Sequence, residues 1–103
     1  MSSSMTVPCP VKVAVTVQAP LRHLCPHRDE VDLGRVTVRW TTDGMTFELH
    51  ALREYLASSD HVVISHEELT DILRRDLTTP GVANVSIETE WTTAGLGVRC
   101  SPS

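Results

Sequence analysis

The stretch GRVTVRW, residues 34–40, places three large apolar side chains at alternate positions. These side chains are Val36, Val38 and Trp40. Because successive side chains of a β-strand point to opposite faces, this period of two predicts a strand with one buried face. The Asp43-Gly44 pair beyond it predicts a turn.

The stretch VKVAVTVQ, residues 11–18, has the same period of two and predicts a partner strand. Between the two strands, residues 19–33 carry Pro20, Pro26 and mixed charges without any periodicity. This pattern predicts a long loop, and long loops in compact domains often carry function.

Two helices are predicted after the turn. In FELHALREYLAS, residues 47–58, and in HEELTDILRRDL, residues 66–77, the apolar side chains recur at helical spacing. Ser65 precedes Glu68 by three positions, which is the spacing of a helix-starting capping box. Residues 78–81, which include Pro80 and Gly81, end the second helix.

Alternation returns after Gly81 and predicts two further strands joined by residues 92–95. The apolar faces consist of Val85, Ile87, Thr89 and Trp91, and of Leu96, Val98 and Cys100. The predicted order ββααββ indicates an α+β fold, in which a four-stranded antiparallel sheet carries two helices on one face. We expect a flexible N-terminal segment at residues 1–10 and one domain at residues 11–103.

Composition narrows the possible functions. The chain has 103 residues with 41% hydrophobic side chains, enough for one small core, and a small core favours association between copies. Its formal charge of −4 argues against nucleic-acid binding and favours a small-molecule or protein partner. Three cysteines at wide spacing predict free thiols, and the lack of a long apolar run or signal-like start predicts a cytosolic protein.

The segment LCPHRDEVDLGRVTV, residues 24–38, resembles the Cys-Pro-x5-Asp signature of the 7-cyano-7-deazaguanine (nitrile) reductases, with Cys25, Pro26 and Asp32 as the matching residues. ELHALREY at residues 48–55 and the pair His66-Glu67 also resemble that family. The resemblance implies the tunnelling fold. In that fold, sheet edges pair between subunits of a homo-oligomer into a barrel with active sites at the interfaces.

The resemblance also implies roles for these residues. Cys25 is expected to attack the nitrile carbon and form a covalent thioimide, with Asp32 as the acid/base. His66 and Glu67 are expected to bind the guanine-like base. The charged neighbours of Cys25 in sequence are expected to favour its thiolate. They are Arg22, His23, His27 and Arg28.

The ELHALREY segment resembles the NADPH-binding pattern of the reductases, which implies Glu48, His50 and Arg53 as cofactor contacts. His50 and Arg53 stand where that pattern has lysines. The main expectation is NADPH-dependent reduction of the nitrile to the aminomethyl product in queuosine-type biosynthesis.

Two other functions remain open. The short archaeal amidinotransferases resemble the reductases, share the Cys-Pro loop and a His-Glu-Glu-Leu segment like residues 66–69, and lack the NADPH pattern. In this alternative ammonia attacks the thioimide and gives an amidine, as in archaeosine-type modification, on a base that is free or within a nucleic acid. The third possibility is a base-binding relative without catalysis.

Each site residue also has a purely structural interpretation. Cys25 suits a partly buried structural position and Asp32 a solvated turn. Glu67 suits the first turn of a helix, whereas His50 and Arg53 suit its solvated face. We expect no metal. A zinc site would join Cys9 with His23, Cys25 and His27, at irregular spacing.

Overall fold

A computed structural model describes residues 5–102, which form six strands and two helices. The elements are β1 (Thr6–Cys9), β2 (Ala14–Leu24), β3 (Val31–Thr42), β4 (Gly44–Phe47), α1 (Leu49–Ala57), α2 (His66–Leu77), β5 (Val82–Thr93) and β6 (Leu96–Cys100). The main sheet has the order β2-β3-β5-β6 with every neighbouring pair antiparallel, and β1 pairs with β4 in a second small sheet. The predicted α+β class with antiparallel sheets and two helices is confirmed.

Both helices pack on one face of the main sheet. The alternation in β3 and β5 directs side chains such as Val36, Val38 and Ile87 into one core. From the helices, Leu52, Leu56, Leu69, Leu73 and Leu77 enter the same core. Within residues 5–102, neither helix covers the opposite face of the sheet.

The β2–β3 hairpin corrects the prediction of a long loop over residues 19–33. The two strands pair from Ala14↔Thr41 to Leu24↔Val31, so the connection is limited to residues 25–30. Pro20 lies inside β2, which is an edge strand of the sheet. A proline is tolerated there because an edge strand does not need every backbone N–H for pairing.

The N-terminal prediction is also corrected. The sequence indicated a flexible segment over residues 1–10, but Thr6–Cys9 pairs with Gly44–Phe47. Residues 1–4 of that segment lie outside the described part of the chain. Strand β2 in turn starts at Ala14, whereas the period of two predicted a strand from residue 11, and Val11 and Val13 are exposed.

The start of each helix is fixed by a side-chain cap. The Glu48 carboxylate accepts the backbone N–H of His50 at the start of α1. The Ser65 hydroxyl accepts the N–H of Glu68 at 3.1 Å, which confirms the predicted start of α2. Among the described residues, no helix has the length and apolar character that a membrane span requires.

Candidate active site

The end of the β2–β3 hairpin brings His23 and Asp32 directly opposite each other. Their positions share the helix-covered face of the sheet, where His23 is 0% exposed and Asp32 is 8% exposed. His23 Nε2 lies 3.8 Å from Asp32 Oδ2. A buried imidazole therefore lies next to a nearly buried carboxylate at one end of the sheet.

His66, the first residue of α2, completes this cluster. Its Nδ1 lies 2.7 Å from His23 Nε2, and its Nε2 lies 2.9 Å from the hydroxyl oxygen of Thr93. The His66 ring stacks on Trp91, with ring centroids 4.4 Å apart and planes inclined by 8°. His23 meets both of these rings edge-on. Helix α2 and strand β5 thus hold His66 from two sides.

The electrostatic surroundings of His66 favour its neutral form. Burial lowers the pKa of the imidazole below its usual value, and the neighbouring His23 lowers it further. Asp32 and Glu67 act in the opposite direction because their negative charges favour the imidazolium. The His66 ring is therefore suited to neutral hydrogen bonding at physiological pH.

Cys25 is the first residue after β2 and is half-buried. Its backbone N–H donates to the carbonyl of Glu30 at 3.0 Å and closes the connecting loop. The preceding residue, Leu24, pairs with the segment before α2 through bonds to Val62 and Ile64. The Cys25 loop is thereby tied to the start of the helix that carries His66.

The residues predicted for catalysis and base binding are placed around one end of the hairpin. Asp32 and His66 belong to the buried cluster, whereas Cys25 begins the adjoining loop. Glu67 is exposed in the first turn of α2, where its charge acts on His66. Their catalytic and binding roles stay predictions.

The residues predicted to bind NADPH lie on a different element. Glu48 caps α1, and its carboxylate also lies 3.2 Å from His50 Nδ1. Hydrogen bonding from the His50 amide lowers the pKa of Glu48 below its usual value. His50 and Arg53 are exposed, and Arg53 borders a groove of about 680 Å³ between α1 and β2. The capping contact gives Glu48 a structural role here.

Trp91 and Thr93 were not predicted as part of a site, and His23 was predicted only as a charged neighbour of Cys25 and as a ligand in the zinc alternative. His23 was assigned to a loop, so its direction remained undefined. The sequence does contain a signal for the burial of His23. It lies two residues after Leu21, so a longer β2 would place both side chains on the same face of the sheet.

The cluster also offers possible metal ligands. One atom from each of His23, Asp32 and His66 lies within 4.8 Å of the others, which is a compact set. The zinc alternative shares His23 with this set but otherwise relied on Cys9, Cys25 and His27, which are not part of it. Histidine and carboxylate suit zinc, although the facing imidazole nitrogens already pair with each other here.

Comparisons with known proteins bear on the fold. No protein-family model matches the chain, and no curated protein matches its sequence. The crystal structure of the archaeosine synthase QueF-Like in the apo form superposes with a TM-score of 0.78 at 21% sequence identity. The match covers 86% of this chain and 90% of that one. The chain therefore has the fold of the archaeosine synthase QueF-Like, in agreement with the resemblance drawn from the sequence.

Proposed function

We propose that this chain is an amidine-forming enzyme that acts on the nitrile of a 7-cyano-7-deazaguanine base. The observation that carries the proposal is the cluster of buried His23 and Asp32 with half-buried His66 at the hairpin end that bears Cys25. The shared fold with an archaeosine synthase supports the amidine product over the reduced product that the sequence favoured.

In the first step of the proposed reaction, the Cys25 thiolate adds to the nitrile carbon and forms a C–S bond. The nitrile nitrogen receives a proton from the Asp32 carboxylic acid, giving a thioimide and the Asp32 carboxylate. Asp32 suits this transfer because its carboxyl group is nearly buried at the hairpin end that bears Cys25.

In the second step, ammonia adds to the thioimide carbon. The new ammonium nitrogen returns one proton to the Asp32 carboxylate, and the C–S bond then breaks to release the Cys25 thiolate. One nitrile and one ammonia thus become one amidine, with no oxidant or reductant consumed.

His66 and Glu67 bind the base in this proposal. The exposed Glu67 carboxylate accepts hydrogen bonds from the 2-amino group and the ring N–H of a guanine-like edge. His66, held against Trp91, supplies a second and rigidly oriented polar contact.

Reduction of the same thioimide by NADPH is the second candidate function. The exposed Arg53 beside the groove on α1 favours it, since a guanidinium suits the phosphates of a dinucleotide. The amidine is preferred because the Glu48 carboxylate is engaged as a helix cap and His50 is tied to it.

We also propose that the chain works as a homo-oligomer whose sheet edges pair between subunits. Strand β2 lies at one edge of the main sheet, beside a groove with predominantly apolar walls. Leu33 and Leu49 border this groove and are 64% and 57% exposed. Exposed apolar surface along the outer edge of a sheet is typical of an association surface.

The test is product analysis by mass spectrometry after incubation with 7-cyano-7-deazaguanine, either as the free base or within RNA. Separate reactions receive ammonium or NADPH. We expect the amidine with ammonium, no product from Cys25→Ala, and normal product from Cys100→Ala, which removes another half-buried thiol.

The aminomethyl product with NADPH would establish the reductase instead. Binding of the base without any product, unchanged by Cys25→Ala, would indicate a non-catalytic relative. Either result would overturn the proposed amidine formation.

A further inference from the structure

Hydrogen bonds link Thr93, His66, His23 and the carbonyl of Leu24 in one chain. The carbonyl at its end can only accept, and this decides which atom donates in each of the other bonds. His23 Nδ1 lies 3.1 Å from the backbone carbonyl of Leu24, and a carbonyl can only accept. His23 Nδ1 must therefore carry the proton, which leaves Nε2 of a neutral His23 as an acceptor.

The proton positions on His66 follow from those on His23. Since His23 Nε2 accepts, the 2.7 Å contact requires His66 Nδ1 to donate. A neutral His66 then has a bare Nε2, which accepts the hydroxyl proton of Thr93 at 2.9 Å. Every ring nitrogen of the buried His23 and the half-buried His66 is satisfied in one arrangement of protons.

We propose that His23 is a positioning residue that locks His66 in the tautomer with its proton on Nδ1. His23 is suited to this task because it is fully buried, and its own tautomer is fixed by a backbone atom that no side-chain motion can remove. Thr93 cannot set the tautomer, because a hydroxyl group donates or accepts equally well.

The locked tautomer of His66 also affects substrate specificity, an effect that rests on the proposed function. A locked His66 keeps Nε2 as an acceptor, so an N–H group of the bound base can take the place of the Thr93 hydroxyl there, whereas a carbonyl is disfavoured. His23 would thus select the hydrogen-bonding edge of the substrate without touching it.

The charged groups around His66 are few among the described residues. His23 faces it from β2, Asp32 from β3 and Glu67 from α2 itself, whereas β5 contributes the uncharged Trp91 and Thr93. Because these groups also affect whether His66 is protonated, the test is made at a pH where both histidines are neutral. The measurement then reports only which ring nitrogen carries the proton.

The experiment is NMR of the unliganded protein labelled with ¹⁵N in its imidazoles, which identifies the protonated nitrogen of each ring. We expect Nδ1–H for both His23 and His66. In His23→Phe, which keeps a ring but removes the acceptor, His66 should shift to Nε2–H and donate to Thr93.

Three further variants keep the test decisive if His23→Phe fails to fold. His23→Gln can place an amide oxygen near the lost Nε2 and should retain the Nδ1–H tautomer of His66. Thr93→Val should also retain it, because the lock lies at His23. His27→Gln, in the exposed part of the Cys25 loop, should leave both rings unchanged.

An Nε2–H tautomer of His66 in the wild type, or its appearance in Thr93→Val alone, would overturn the inference. The NMR result does not depend on any reaction with a nitrile. If the tautomers are as expected and the wild type makes no amidine, the proposed function fails while the lock stands. If both hold, His23→Phe should raise KM about tenfold, the cost of one lost hydrogen bond.

Discussion

Gly34 lies directly opposite Trp91 in the pairing of β3 with β5. A Cβ atom at Gly34 would lie 2.2 Å from the carbonyl oxygen of Glu90 and 2.5 Å from the Trp91 ring. The missing side chain therefore creates the space in which the indole lies flat and stacks on His66. At the scale of single residues, the site depends on a glycine that performs no chemistry.

Gly34→Ala should accordingly destabilise the protein by about 1–3 kcal/mol, because the neighbouring backbone and indole must move. Gly97→Ala is the matched control, since a Cβ there meets nothing within 4 Å. Urea unfolding measures both changes in the free energy of unfolding. Equal effects of the two substitutions would contradict the proposed close packing.

A pH dependence of stability is expected from His66. Its pKa is lowered in the folded state, so the unfolded chain binds more protons at mildly acidic pH. The stabilisation is fully present above the ordinary histidine pKa and is lost as the pH falls through that value towards the lowered one. Urea unfolding of the wild type and of His66→Gln across this range should show a steeper acid loss in the wild type. Parallel curves would contradict it.

Among the helices and strands, those with a regular spacing of apolar residues could be predicted from the sequence. The two helices and the four strands of the main sheet were predicted, with the start of α2 set by Ser65. The pairing of β1 with β4 was missed because Thr6–Cys9 has no period of its own and is ordered by a distant partner. The end of β2 was predicted too early because Pro20 indicates a loop in the local sequence, although a proline is tolerated on an edge strand.

The site was predictable only in part for the same reason. Asp32 and His66 were named through the resemblance, and the structure brings them into one cluster. The contact of His23 with His66 joins residues 43 positions apart, and no local pattern in either segment encodes it. The predicted strand ended at residue 18, whereas β2 continues to Leu24. The burial of His23 inside β2 was therefore not predicted.

The cap of α2 gives a prediction at this scale. Ser65→Ala should cost about 1 kcal/mol of stability because the Glu68 amide loses its acceptor, whereas Ser65→Asp should retain most of it. Ser86→Ala, at an exposed position of β5, is the control and should change stability little. Denaturant titration measures all three, and a neutral Ser65→Ala would contradict the assigned cap.

Over residues 5–102, the molecule combines a one-sided core with a sheet edge, strand β2, that pairs outward only at its Leu24 end. The helices cover one face of the main sheet, and the groove between α1 and β2 exposes apolar walls beside that edge. Arg22, Arg53 and Asp60 place charges at the same groove. A groove that combines apolar walls with charged side chains is suited to an interface between identical subunits.

Assembly can be tested at Leu49, which is 57% exposed and borders the groove. Leu49→Glu should shift the protein towards the monomer, because a carboxylate would be buried at the contact. Val11→Glu, at a position equally exposed at 57% but outside the groove, should not. Light scattering after size-exclusion chromatography gives the masses. A wild type that is already monomeric would contradict the proposed assembly.

The most direct test of the central claim is intact-protein mass spectrometry after mixing the chain with 7-cyano-7-deazaguanine in the absence of ammonia. We predict a mass increase equal to one whole base, located on Cys25 by peptide mapping, absent from Cys25→Ala and released as the amidine when ammonium is added. An unmodified Cys25 in folded wild-type protein, presented with the base both free and within RNA, would contradict the thioimide mechanism.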